Sequence, residues 1–159
     1  MMRTEITFLK RHWGELTTYF SLESENESGA VALAKLVRND QVLRFLVRDI
    51  VIPKEEEYLE KTPVSISFTA DFMERNFQRC EREKMHLVNI HNHPFSKVGS
   101  FSPIDDTEDK KTKGPYVEKW VPGTEQAFMV MGNNPEKLDA RFWSLESRRL
   151  SPIDLVKVM

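Results

Sequence analysis

The chain has a single cysteine, Cys80, among its 159 residues. One thiol excludes an internal disulfide and any cysteine-rich zinc site, and it fits a reducing, cytoplasmic setting. An excess of charge is missing too. Lys+Arg number 23 and Asp+Glu 25, a net charge of −2 that gives no electrostatic reason to expect nucleic acid. No apolar run approaches the roughly 20 residues of a membrane-spanning helix. Met1-Met2-Arg3-Thr4-Glu5 carries no apolar core of the kind a signal peptide has. Internal repeats and low-complexity segments are absent. These absences lead to the expectation of a cytoplasmic protein with neither nucleic acid nor membrane as partner.

What the chain does have is the material of a globular domain: 40% hydrophobic and 30% charged residues, in a length sufficient to bury a core. Ile6 and Phe8 suggest a short strand. Leu9, Trp13, Leu16 and Phe20 then recur at the spacing of one helix face, where His12 and Trp13 are packing or surface residues. Ser21 to Ser28, with Glu23, Glu25 and Glu27, has the composition of an acidic loop. Ala30 to Ala34 and Val42 to Ile52 flank the polar pair Asn39-Asp40, which predicts a β-hairpin. Their near-continuous apolarity predicts cover on both faces. Pro53 to Pro63 reads as a charged, solvated loop, with a substrate-contacting edge as the alternative. Val64, Ile66 and Phe68 alternate as a strand. Thr69 or Asp71 then caps a helix that turns Phe72, Met73, Phe77 and Cys80 inward. Asp106 to Lys113 is helical in pattern and is expected to break at Gly114-Pro115. Strands follow at Ala127 to Met131 and Leu138 to Trp143, separated by the turn Gly132 to Pro135. Interleaved helices and hairpins predict an α/β architecture with a mixed β-sheet.

The chemistry concentrates at His91-Asn92-His93-Pro94, which follows the apolar run Leu87 to Ile90. In a strand, alternate side chains share a face, so His91 and His93 point the same way, and Pro94 ends the strand. Downstream stands Ser102-Pro103-Ile104-Asp105. Two imidazoles and a carboxylate, with one position left to water, make the donor set of a catalytic zinc site. The tetrapeptide is also an ordinary capped helix start. The chain supplies its own control: Ser151-Pro152-Ile153-Asp154 repeats it with no histidine pair nearby. Asp106 is the rival to Asp105, but it lies about 100° further round the helix. A zinc hydrolase also needs a general base, and no glutamate lies within the histidine motif.

His-x-His-Pro followed by Ser-x-x-Asp, with a glutamate upstream, resembles the motif of the JAMM (JAB/MPN) zinc metalloproteases. Asn26-Glu27-Ser28-Gly29-Ala30-Val31-Ala32-Leu33 looks like the family's segment in which the catalytic glutamate precedes a glycine-containing apolar strand. The resemblance covers about residues 5 to 145, and is nearest to the bacterial JAB domains associated with ThiF-like, ubiquitin-activating-type enzymes. It implies a JAB/MPN-like, cytidine-deaminase-like fold, a mixed β-sheet flanked by helices. It implies one Zn2+ held by His91, His93 and Asp105 with a catalytic water, Glu27 as the base, and Ser102 stabilising the oxyanion. Glu23 and Glu25 rival Glu27, but neither leads into the Ser-Gly-Ala-Val segment. Between His93 and Ser102 lie eight residues, Pro94 to Phe101, one more than the family's usual spacing.

The activity implied is that of a deubiquitinase-like isopeptidase or peptidase. It would cut after the C-terminus of a ubiquitin-like protein, in a bacterial conjugation system of the antiphage kind. A ThiF-like adenylating enzyme is then expected as operon or fusion partner. Residues 1–150 are expected to form the metalloprotease domain and 151–159 a tail or a junction to a further domain. Two other readings were weighed. A RadC-like JAB protein linked to DNA processing lacks support from any basic stripe, and an inactive MPN scaffold would have lost ligands that are all present here. A zinc deaminase would need a Pro-Cys-x-x-Cys element that one cysteine cannot supply.

Overall fold

The protein was analysed as a computed structural model that describes residues 2–159. Eight strands form one mixed sheet, in the order β10-β1-β3-β2-β6-β7-β8-β9. β1 (Arg3–Phe8) lies parallel to β3 (Val42–Val51), which forms the expected hairpin with β2 (Gly29–Arg38). β2 in turn pairs antiparallel with β6 (His86–Asn92), and β6 pairs parallel with β7 (Gln126–Met131). β8 (Leu138–Ser144) and β9 (Arg149–Pro152) extend the sheet antiparallel on that side. β4 (Tyr58–Lys61) and β5 (Ile66–Phe68) make a separate two-stranded hairpin. No described helix is long and apolar enough to cross a membrane.

Both faces of the sheet are covered, which is why β2 is apolar from Gly29 to Ala34, all of it buried. Ala30, Ala32 and Ala34 pack with Ile6, Phe8, Phe45 and, from α1 (Lys10–Ser21), Leu16 and Phe20. Val31 and Leu33 point the other way and join Leu87 to Phe72, Phe77 and Cys80 of α2 (Ala70–Glu83) and to Val117. Thr69 caps α2, its hydroxyl accepting from the Phe72 amide. Cys80 is a buried thiol, and burial pushes its pKa up to about 12, so it is an inert core group.

Three regions depart from the sequence expectation. The charged stretch after Pro53 is structured rather than a solvated loop. Glu55–Glu57 forms a 3-10 turn leading into β4, and Glu57 is buried. Its carboxylate accepts from the Lys54 amide at 2.9 Å and from Arg75, and these bonds hold its pKa below the usual value despite burial. Secondly, Gly114-Pro115 does not break the helix. α3 (Pro103–Thr107) runs through a π-helical turn, Glu108–Lys113, straight into α4 (Gly114–Trp120). The wide turn bonds the Gly114 amide to Asp109, and Pro115 then falls in the first turn of α4, where a missing N–H is tolerated. Gly114 is needed for packing, since a Cβ there would meet the Trp143 ring at 2.6 Å. Thirdly, residues 151–159 supply the end of β9 and all of β10 (Leu155–Val158), which pairs parallel with β1 at the edge of the sheet.

Candidate metal centre

Three chain segments converge at one end of β6. His91 lies in β6 directly opposite Gly29, the first residue of β2, so the register that pairs these strands sets the acidic loop before β2 beside the histidines. His93 stands just past the strand, its amide donating to the Met131 carbonyl at 2.8 Å and its ring stacked on Phe95. The following loop folds back across β7, where Gly99 comes so close that a Cβ would sit 2.4 Å from the Val130 carbonyl oxygen. That return delivers Ser102 and α3. The Ser102 hydroxyl accepts from the Asp105 amide at 3.1 Å, and Asp105 Oδ2 accepts from the Ser102 amide at 2.8 Å. This reciprocal cap fixes the Asp105 carboxylate against the imidazoles.

The resulting cluster is Glu27, His91, His93 and Asp105, with one donor atom of each within 4.8 Å of all the others. His91 Nε2 lies 3.2 Å from His93 Nε2 and 3.2 Å from Asp105 Oδ2, and His93 Nε2 lies 3.5 Å from Asp105 Oδ2. Ligands at about 2.0–2.1 Å from a tetrahedral zinc are separated by about 3.3–3.4 Å, so these three contacts have the length of the edges of one tetrahedral face. Glu27 Oε2 lies 3.3 Å from His93 Nε2. One oxygen of Glu27 also lies within 4.8 Å of the other donors, which sets its carboxylate beside the other three. Together the four donors could hold a metal ion. All four side chains are buried or nearly so, with Glu27 only 2% exposed. Glu27, His91 and Asp105 line a cleft of about 220 Å3 that also includes Glu60, Ser65 and Lys113.

Charge is finely balanced there. Burial disfavours the Asp105 carboxylate, but hydrogen bonds from His91, His93 and the Ser102 amide outweigh it and hold the group well below the usual carboxylate range. Burial likewise opposes a charged His93, yet its contacts with Asp105 and Glu27 raise its pKa to about 9. Two acids thus hold a proton on an imidazole, a proton that a cation would displace.

All five residues singled out from sequence therefore meet at this end of the sheet. Ser102 appears as the helix cap, and since its oxygen accepts in that bond, its own hydrogen is not used there. Asp106 is turned outward to Arg141 at 2.7 Å. Glu23 instead caps the turn at Glu25 and Asn26 with its carboxylate.

Other residues of the site were not legible in advance. Asn92, between the two histidines, faces the opposite side, where its side-chain oxygen accepts from the Ser28 amide at 2.6 Å while its own amide donates to the Ser28 carbonyl at 3.0 Å. Together with the Glu27 amide bond to Thr62 at 2.9 Å, this clamps the backbone that carries Glu27. The signal for Asn92 was a polar residue at a strand position facing the core. The Tyr58 hydroxyl donates to the Gly29 carbonyl and accepts from its amide at 3.0 and 2.9 Å. Arg141 bonds both Asp106 and Asp109 at 2.7 Å and lies over the Phe101 ring at 3.7 Å, bracing α3 and the loop before it.

Likeness to known proteins is confined to the fold. No protein-family model matches the chain, and no curated protein matches it. Among solved structures, it is similar to that of protein DSY2949 from Desulfitobacterium hafniense, determined in solution, with a TM-score of 0.57 and 13% identity over 96% of this chain and 92% of that one. At that identity the likeness speaks to the mixed α/β fold alone.

Proposed function

We propose that this chain is a JAMM-type zinc isopeptidase or peptidase with a JAB/MPN fold, acting on the bond that follows the C-terminus of a ubiquitin-like protein. The observation that carries the reading is the pairing of a three-donor face, His91, His93 and Asp105, with a separate buried carboxylate, Glu27, beside it. A structural zinc site closes all four positions with ligands; three donors with a base alongside is the arrangement of a catalytic one.

Zinc bound there would supply a Lewis acid and lower the pKa of water to near neutrality. The side chains of the protein do the rest. Glu27, buried and held by the Ser28–Asn92 and Thr62 contacts, takes a proton from the attacking water and returns it to the departing amine. The Ser102 hydroxyl, rigid in its cap, has a hydrogen to direct at the oxygen that gains charge. A ThiF-like adenylating enzyme that activates the same ubiquitin-like protein is the natural partner of such an activity, in a bacterial conjugation system.

The test uses purified protein reconstituted with zinc and a fusion of a ubiquitin-like protein to a reporter. Wild type should bind about one zinc and cut the fusion after the ubiquitin-like C-terminus. Glu27→Gln should keep the zinc and lose about 10²–10⁴-fold in rate, the usual worth of general base catalysis. Full activity in Glu27→Gln, or wild type that takes up no zinc, would overturn the reading.

A further inference from the structure

Beside the metal cleft lies a second cavity of about 210 Å3, walled by Phe68 of β5, Met73 and Phe77 of α2, and Val117 of α4. These walls are apolar. The sheet side of the cavity is different, for Asn89 of β6 and Gln126 of β7 line it. Asn89 Nδ2 and Gln126 Oε1 are both buried with no hydrogen-bond partner, and Gln126 is only 2% exposed. Unpartnered buried polar atoms are costly and few in native proteins. Here two of them, one donor and one acceptor, border the same apolar space.

Their spacing says what would satisfy them. β6 and β7 run parallel with Leu87 opposite Gln126 and Asn89 opposite Phe128. Asn89 and Gln126 therefore stand on one face as diagonal neighbours across adjacent strands. A peptide group offers a carbonyl to the first and an N–H to the second. The cavity is larger than the roughly 150 Å3 that accommodates benzene in an engineered core, so it has room for a phenyl or branched aliphatic side chain. It also adjoins the metal cleft, as Ile66, Ser67, Glu108 and Lys113 line both. Asn89 and His91 share a strand face two residues apart, about 7 Å at the usual rise, which is the span of about two residues of extended chain.

We propose that this cavity is a specificity pocket for a bulky apolar residue of the substrate chain, about two residues from the cut bond, with Asn89 and Gln126 holding that residue's peptide group. The proposal rests on the peptidase reading for its substrate, but the pocket can be tested without hydrolysis. Zinc-loaded, 15N-labelled protein is titrated with N-acetyl-L-phenylalaninamide and with N-acetyl-L-alaninamide. The phenylalanine probe should shift the side-chain amide signals of Asn89 and Gln126 and bind at least tenfold more tightly than the alanine probe. Asn89→Leu should weaken the phenylalanine probe about tenfold while leaving Tm equal or higher, since an unpartnered polar group is replaced by an apolar one. A merely structural Asn89 would lower Tm instead. Equal binding of the two probes, or shifts confined to other residues, would overturn the pocket. Probe binding that persists while wild-type protein fails to cut any fusion would overturn the peptidase reading and leave the pocket standing.

Discussion

Asn92→Ala tests whether Glu27 is held in place from behind rather than by the proposed metal ligands. The Asn92 side-chain oxygen is the acceptor for the Ser28 amide, in a spot where Ser28 is 1% exposed and Asn92 3%. Alanine leaves that N–H buried and unpaired, a loss of about 1–3 kcal/mol. At about 2–4 °C per kcal/mol for a domain of this size, Tm should fall by roughly 2–12 °C, measured at saturating zinc. The effect on catalysis should exceed the effect on stability. Ser28 is the next residue after Glu27, and a shift of about 1 Å in a positioned group can cost about 100-fold in rate. Zinc stoichiometry should be unchanged, because His91, His93 and Asp105 keep their own contacts with the sheet and with the Ser102 cap. The assay is therefore a split: kcat on the fusion substrate, zinc by mass spectrometry, and Tm by calorimetry. If zinc content falls in step with kcat, or if kcat stays within twofold of wild type while Tm drops, Asn92 does not position Glu27.

Asp105→Asn should weaken zinc binding by more than the roughly 10–100-fold typical of losing an outer-sphere partner, while Asp106→Asn, whose carboxylate faces Arg141, should leave zinc uptake unchanged; competition with a chromogenic chelator measures both. In chelator-treated protein His93 titrates near 9 instead of 6.5. The stabilisation from its charged form is complete below about pH 6.5 and lost as pH rises through about 9. Tm should fall across that window in stripped protein and the fall should shrink in Glu27→Gln, as scanning fluorimetry at a series of pH values would show; a flat profile contradicts the ion-pair account. Asp154→Ala removes the acceptor of the Thr4 amide and hydroxyl, at 2.9 and 3.2 Å, and should cost about 1–3 kcal/mol of stability, seen by calorimetry, with zinc binding intact.

Much of the centre was readable because its parts obey local rules. The alternation of a strand put His91 and His93 on one face, and the order serine, proline, isoleucine, aspartate started a helix at Ser102. The apolar run Ala30 to Ala34 announced a strand covered on both sides. What escaped were features that depend on partners far away in sequence. Glu57 looked solvated among its charged neighbours until Arg75 and the Lys54 amide enclosed it. Gly114-Pro115 looked like a helix stop, but a π-helical turn and the Trp143 ring carried the helix through it. Asn92 drew no role from sequence because its partner, Ser28, lies 64 positions away.

The repeated tetrapeptide shows most clearly where the division falls. Ser102 to Asp105 and Ser151 to Asp154 are identical in sequence. The first begins α3, its aspartate turned toward two imidazoles. In the second, Ser151 and Pro152 end an edge strand, and Asp154 bonds Thr4 to tie β10 beside β1. Which side chains were available follows from the sequence alone: two imidazoles two residues apart, carboxylates and a single thiol. The tertiary structure alone decided which carboxylates reach the imidazoles. Four residues cannot encode that choice, because a donor–acceptor distance near 3 Å is set by the register of β2 on β6 and by the path of a loop pressed against β7, both of them long-range contacts.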